Sequence, residues 1–129
     1  MKRRALEVAC GGSHVTRNVL LKYFNEIELM DRAYEAVKEA NQLRLQNDNK
    51  IVAVHQASME DFSSSNTFNC IILRYCFGYL SDYDAVQFLR KMGQMLDVEN
   101  KRRSRAATSR SFILLQDNIQ DENYIEVEV

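Results

Sequence analysis

Ala5-Leu6-Glu7-Val8-Ala9-Cys10-Gly11-Gly12-Ser13 is the stretch that decides the fold. Its first six residues are short and apolar, which reads as a buried strand, and they run straight into a glycine pair that supports a tight turn. A helix is expected next, because Val15, Val19, Leu20 and Phe24 recur at helical spacing, with Ser13 or Thr16 available as a cap. Ile27 to Met30 then makes a second short strand closed by Asp31. The segment from Tyr34 to Leu45 is rich in good helix formers and is broken by Gln46-Asn47-Asp48-Asn49. Ile51 to His55 is a third strand, Ser63 to Asn66 is loop chemistry, and Phe68 to Tyr75 is an apolar run that predicts a fourth, central strand bounded by Gly78. Ser81 precedes a helix from Asp82 to Leu96, whose apolar face holds Ala85, Val86, Phe88, Leu89 and Met92. Phe112 to Leu115 is a fifth strand that ends at Gln116-Asp117-Asn118. Strands alternating with helices imply an α/β fold with a mostly parallel sheet, right-handed crossovers and helices on both faces. A ligand is expected at the carboxyl ends of the strands.

Composition narrows the function classes. The 129 residues are 46% hydrophobic and 27% charged with a formal net charge of -1. These values predict one globular domain over residues 1–129, with no general electrostatic case for nucleic acid or an anionic membrane. No apolar run reaches the roughly 18 residues of a spanning helix, and the start is too short in apolar residues for a secretory signal, so an intracellular protein, cytoplasmic or nuclear, is expected. Three cysteines, at positions 10, 70 and 76, are an odd number without a C-x-x-C pair. Reduced thiols are expected, and neither a disulfide framework nor a metal site.

Four strand ends carry polar or small residues: Gly11 to His14, Asp31, Ser58 to Asp61, and Asp117-Asn118. In a parallel sheet these ends converge. A glycine turn lets backbone N–H groups approach a ligand, and an acid ending the second strand can accept from both hydroxyls of a ribose, so the pair points to a nucleoside-containing cofactor. An equally simple reading makes the glycines only a tight turn and Asp31 only the cap of the next helix.

The segment Leu6 to Ser13 resembles the first motif of class I S-adenosylmethionine-dependent methyltransferases, an acid followed by alternate glycines. Further blocks are Val15-Thr16, Glu28-Leu29-Met30-Asp31, Met59-Glu60-Asp61-Phe62, Phe77-Gly78-Tyr79-Leu80-Ser81-Asp82, Phe88-Leu89-Arg90 and Gln116-Asp117-Asn118. Together they resemble the protein α-N-terminal methyltransferases, which methylate the amino terminus of proteins that begin with an Xaa-Pro-Lys type motif. The resemblance implies a Rossmann-like class I methyltransferase fold, incomplete at the C-terminal end, with S-adenosyl-L-methionine as cofactor and a protein N-terminal peptide as substrate. It also implies roles. Ala9, Gly11 and His14 fall at the methionine part of the cofactor, Asp31, Arg32 and Ala33 at the ribose, and Met59 and Glu60 at the adenine. Arg74 falls at a further cofactor contact, Tyr75 and Tyr79 line the peptide channel, and Asn118 engages the substrate's amino terminus as the catalytic residue.

The departures carry information too. Ala9 and Ser13 stand where the family repeats glycine, and His14 stands where it has an arginine for the cofactor carboxylate. A methyl narrows the approach of backbone to ligand, and imidazole lacks the bidentate fork of a guanidinium. The family's acidic residue beyond the asparagine has no convincing match in Asp121 or Glu122, and its helices ahead of the first strand have none. A truncated or degenerate member is therefore expected, and two functions stay open: N-terminal methyl transfer, or a catalytically silent binding module that keeps the fold. His55 and the three cysteines read as structural. The basic stretch at residues 101–110 reads as a solvated insertion.

Overall fold

The computed structural model describes residues 2–97 and 111–117. Among the described residues five strands form one sheet: β1 (Arg4–Val8), β2 (Glu26–Asp31), β3 (Ile51–Gln56), β4 (Cys70–Arg74) and β5 (Phe112–Gln116), in the order β3-β2-β1-β4-β5. Every pairing is parallel, with Val8 opposite both Met30 and Leu73, and Arg74 opposite Gln116. The expected parallel α/β sheet is thus present. Its centre is β1, with β4 one place over, because the chain runs outward from β1 to β3 and returns to the other side of β1 for β4. That reversal makes the carboxyl ends of β1 and β4 the switch point where such sheets hold ligands.

The alternating strand pattern explains the layers. Ala5 and Cys10, Ile27 and Leu29, and Cys70 and Ile72 face one side, where they pack with Leu20 and Phe24 and with Ala40 and Leu43 of α2 (Tyr34–Gln46). Leu6 and Val8, Met30, and Ile71 and Leu73 face the other, against Phe88, Leu89 and Met92 of α3 (Asp82–Gln94). Phe68 and Met92, both with no exposed surface, anchor this second layer. Burial of each such side chain is worth about 1.5–3 kcal/mol. Helix α3 starts as expected, since Ser81 Oγ accepts the N–H of Asp84 at 3.1 Å. Asp82 and Asp84 in its first turn and Lys91 in its last suit the helix dipole.

Three expectations need correction. The first strand ends at Val8 rather than Cys10, because Ala9 turns into the left-handed region at φ 51°. The following helical segment has no side-chain cap from Ser13 or Thr16 among the described residues: it is helical from His14, passes through a π-helical turn, Thr16–Leu20, and runs into the short α1 (Leu21–Tyr23). The fourth strand begins at Cys70, while Phe68 forms an isolated parallel bridge to Leu96. Residues 101–110 and Asn118 lie outside the described residues.

Candidate cofactor and substrate crevice

The loop leaving β1 is built by backbone geometry. Ala9, Gly11 and Ser13 have φ of 51°, 51° and 59°, so the alternate positions where glycine recurs in the resembling motif are those where this chain turns left-handed. Cys10 N–H donates to Met30 O at 3.0 Å and Ser13 N–H to Cys10 O at 2.7 Å, which fold the loop back over the end of β2. Arg17 Nε fixes its far side by donating to Gly12 O at 3.0 Å. Below it, the buried Glu7 carboxylate accepts from Thr16 N at 3.0 Å and Thr16 Oγ1 at 2.8 Å through Oε1. Burial pushes the Glu7 carboxyl above its ordinary range, against the opposing pull of the Thr16 bonds and the Arg74 charge.

Asp31 joins this loop to the second strand. Its Oδ2 accepts the N–H of Gly11 at 2.8 Å and its Oδ1 the N–H of Ala33 at 2.8 Å. Asp31 is thus not the cap of α2, whose N-cap position is Ala33 without a side-chain cap bond; it closes a turn just ahead of that helix. It remains compatible with the ribose reading, since a carboxylate has about four lone-pair sites and two are used here among the described residues. An added Cβ at Gly11 would meet nothing within 4 Å among the described residues, so on their side the backbone there is open to a ligand. At Gly12 it would meet His14 Nε2 at 3.0 Å, so the His14 ring folds back over its own loop. Arg32, Ala33 and His14 are exposed and Ala9 is half-buried.

The other strand ends complete the rim. Ala57 N–H donates to Asp31 O at 3.1 Å, which places the segment after β3 beside the end of β2. That segment carries half-buried Met59 and exposed Glu60. A cavity of about 220 Å³ opens between them and Leu80, Asp84, Gln87, Phe88 and Lys91. At the ends of β4 and β5, Arg74 Nε donates to Gln116 Oε1 at 2.8 Å, and Gln116 Nε2 donates to Tyr75 Oη at 2.8 Å. The Arg74 guanidinium lies 5.4 Å from the centre of the Tyr75 ring. Tyr75 itself sits at φ 52°, a strained setting for a bulky residue, and is half exposed; Tyr79 is almost wholly exposed at 98%. Gln116 stands in one of the resembling blocks, but neither its type nor its position in the sequence gave it a role. Only the parallel pairing that sets it opposite Arg74 shows its bridging place.

The readings of His55 and the cysteines as structural agree with their surroundings. His55 Nε2 lies 2.7 Å from Oε1 of the buried Glu28, whose Oε2 accepts from Asn66 Nδ2 at 2.6 Å. This buried acid was missed from the sequence, where Glu28 between two apolar residues reads as the outward position of a strand. The Cys10 and Cys76 thiols are pushed up by burial to about 12 and Cys70 to about 11, so none is a thiolate nucleophile near neutrality. Among the described residues no group of three or more His, Cys, Asp or Glu could hold a metal ion, and no helix is long and apolar enough to cross a membrane.

The residues at the β1–β2 end fit a nucleoside cofactor on two observations: the open face of Gly11 and the free acceptor capacity of Asp31 beside it. Comparison with known proteins agrees. The chain is 23% identical over 122 residues to alpha N-terminal protein methyltransferase 1 of Dictyostelium discoideum, covering 94% of this chain and 41% of that protein. It is 25% identical over 97 residues to the Drosophila melanogaster protein of the same name, covering 73% and 35%. It thus spans well under half the length of these relatives. A SAM-dependent methyltransferase from Leishmania major superposes with a TM-score of 0.66 at 28% identity, over 74% of this chain and 39% of that one. The sequence profile described as AdoMet dependent proline di-methyltransferase matches residues 1–124, nearly the whole length. The strand-end crevice and that match together place this chain in the AdoMet-dependent proline di-methyltransferase family.

Proposed function

We propose that this chain forms the cofactor-binding part of an enzyme that transfers a methyl group from S-adenosylmethionine to the α-amino group of a protein N-terminus of Xaa-Pro-Lys type. The observation that carries the reading is the bond between Gly11 N–H and the Asp31 carboxylate, which builds a ribose acceptor into the loop at the switch point of the sheet. Asp31, with Arg32 and Ala33, would hold the ribose; Gly11, with Ala9 and His14, the amino-acid part; Met59 and Glu60 the adenine; and Arg74 a further edge. Once bound, the cofactor supplies an electrophilic methyl group on a sulfonium sulfur. Tyr75 and Tyr79 would flank the incoming peptide, and Asn118 would orient its amine. An α-amine with an ordinary pKa of about 7.7 to 8.0 is partly neutral near pH 7, so orientation rather than a strong base is the main requirement.

A second reading, a binding module without turnover, is favoured by one local feature. The His14 ring is folded over Gly12 where the resembling family has an arginine fork. The experiment that separates the two follows label from methyl-labelled cofactor to a free and an N-acetylated form of one Pro-Lys-containing N-terminal peptide. Labelling of the free peptide alone, increasing from pH 7 toward pH 9 and lost in Asn118→Ala, is the expected result. Equal labelling of both peptides would refute α-amine chemistry. Cofactor binding with neither labelled would favour the silent module.

A further inference from the structure

Lys91, near the end of α3, is half-buried and its Nζ donates to two main-chain carbonyls of the loop after β3: Met59 O and Glu60 O, each at 3.0 Å. No sequence feature marked it, since a lysine in the last turn of a helix reads as a partner of the helix dipole. It also lies 5.6 Å from the centre of the Phe88 ring and lines the cavity of about 220 Å³ together with Met59, Glu60 and Asp84. Burial lowers its pKa, and the Asp61 and Glu60 carboxylates oppose that shift. A partly desolvated ammonium held on two carbonyls is a costly arrangement for a surface helix, and it fixes the two consecutive residues that flank the cavity.

We propose that Lys91 is a positioning residue for the adenine end of the cofactor: by holding the Met59 and Glu60 carbonyls against α3 it sets the width and orientation of the pocket those residues line. The proposal rests on the reading that Met59 and Glu60 meet the adenine. A methionine at position 91 keeps the length and apolar stem but releases both carbonyls, whereas an arginine can still donate to both.

The test is calorimetric titration of the full chain and its Lys91→Met and Lys91→Arg variants with S-adenosylhomocysteine and with 5′-methylthioadenosine, which keeps the adenine and ribose but lacks the amino-acid part. Lys91→Met should weaken both ligands by a similar factor of about tenfold. Lys91→Arg should recover most of that loss for both. Unchanged affinity in a folded Lys91→Met variant overturns the positioning role while leaving the cofactor reading in place. So does an arginine variant that binds as poorly as the methionine one, or a loss for S-adenosylhomocysteine that 5′-methylthioadenosine does not share. Absence of binding by the native chain overturns the cofactor reading itself, and this inference with it.

Discussion

Two side chains occupy left-handed positions after β1 where glycine would be unstrained, and they differ in what surrounds them. Ala9, at φ 51°, packs its methyl partly against the core. Relief of about 1–2 kcal/mol of strain in Ala9→Gly is offset by the lost methyl contact and by the larger chain entropy of glycine, so that change should be nearly neutral. Ser13, at φ 59°, has no exposed surface, and among the described residues its Oγ has no hydrogen-bond partner of good geometry; the Cys10 thiol in its reach is a weak one. Ser13→Gly removes both the strain and the stranded hydroxyl, and should stabilise the fold by about 1–2 kcal/mol. Thermal unfolding of the two variants side by side checks this, and equal melting temperatures for Ser13→Gly and the native chain would contradict it. The loop backbone keeps the left-handed turns of a glycine-rich motif although two of the glycines are absent.

At the scale of elements, the π-helical turn Thr16–Leu20 is tied to β1 through Glu7 rather than through a cap of its own. The Glu7 carboxyl is raised by burial, so the folded form holds its proton to higher pH than the unfolded chain does. Its ionisation therefore opposes folding: stability is greatest below the unfolded value of 4.5 and falls as pH rises through the higher folded value. Glu7→Gln can keep an oxygen acceptor for Thr16 N and Oγ1 while removing that charge. The variant should lose this fall in stability, and chemical denaturation from pH 4 upward should show native and variant curves diverging as pH rises. Parallel curves would mean that Glu7 does not titrate with folding. The loop after β3 has a comparable polar anchor, where Glu28 takes His55 from β3 and Asn66 from the far end of the loop. Together with Lys91 it holds that segment at both ends.

For the whole molecule, the strand and helix order was legible because each element carries a strong local signal: unbroken apolar runs for the inner strands, a serine cap and apolar face for α3, and polar breakers between. That order placed a ligand at the carboxyl ends of the strands, whereas the sheet order that puts β1 at the centre and makes β1 and β4 the switch point came from the structure. What escaped was set by long-range contact. The end of β1 depends on a left-handed turn closed by Met30 O, the start of β4 on a bridge between Phe68 and Leu96, and the places of Glu28, Lys91 and Gln116 on partners 27 to 42 residues away in sequence. These polar residues were missed, since sequence pattern shows no partner for a polar side chain whose contact is far along the chain. The candidate site was legible at Gly11 and Asp31 through motif and strand-end position, and at the tyrosines only through resemblance. Asp31 is the group at the centre of the proposed cofactor crevice. Titration of the native chain and of Asp31→Ala with S-adenosylhomocysteine tests it most directly: the native chain should bind one ligand per chain, and the variant should bind at least about tenfold more weakly. A folded native chain that binds none, or an affinity indifferent to Asp31→Ala, would contradict it.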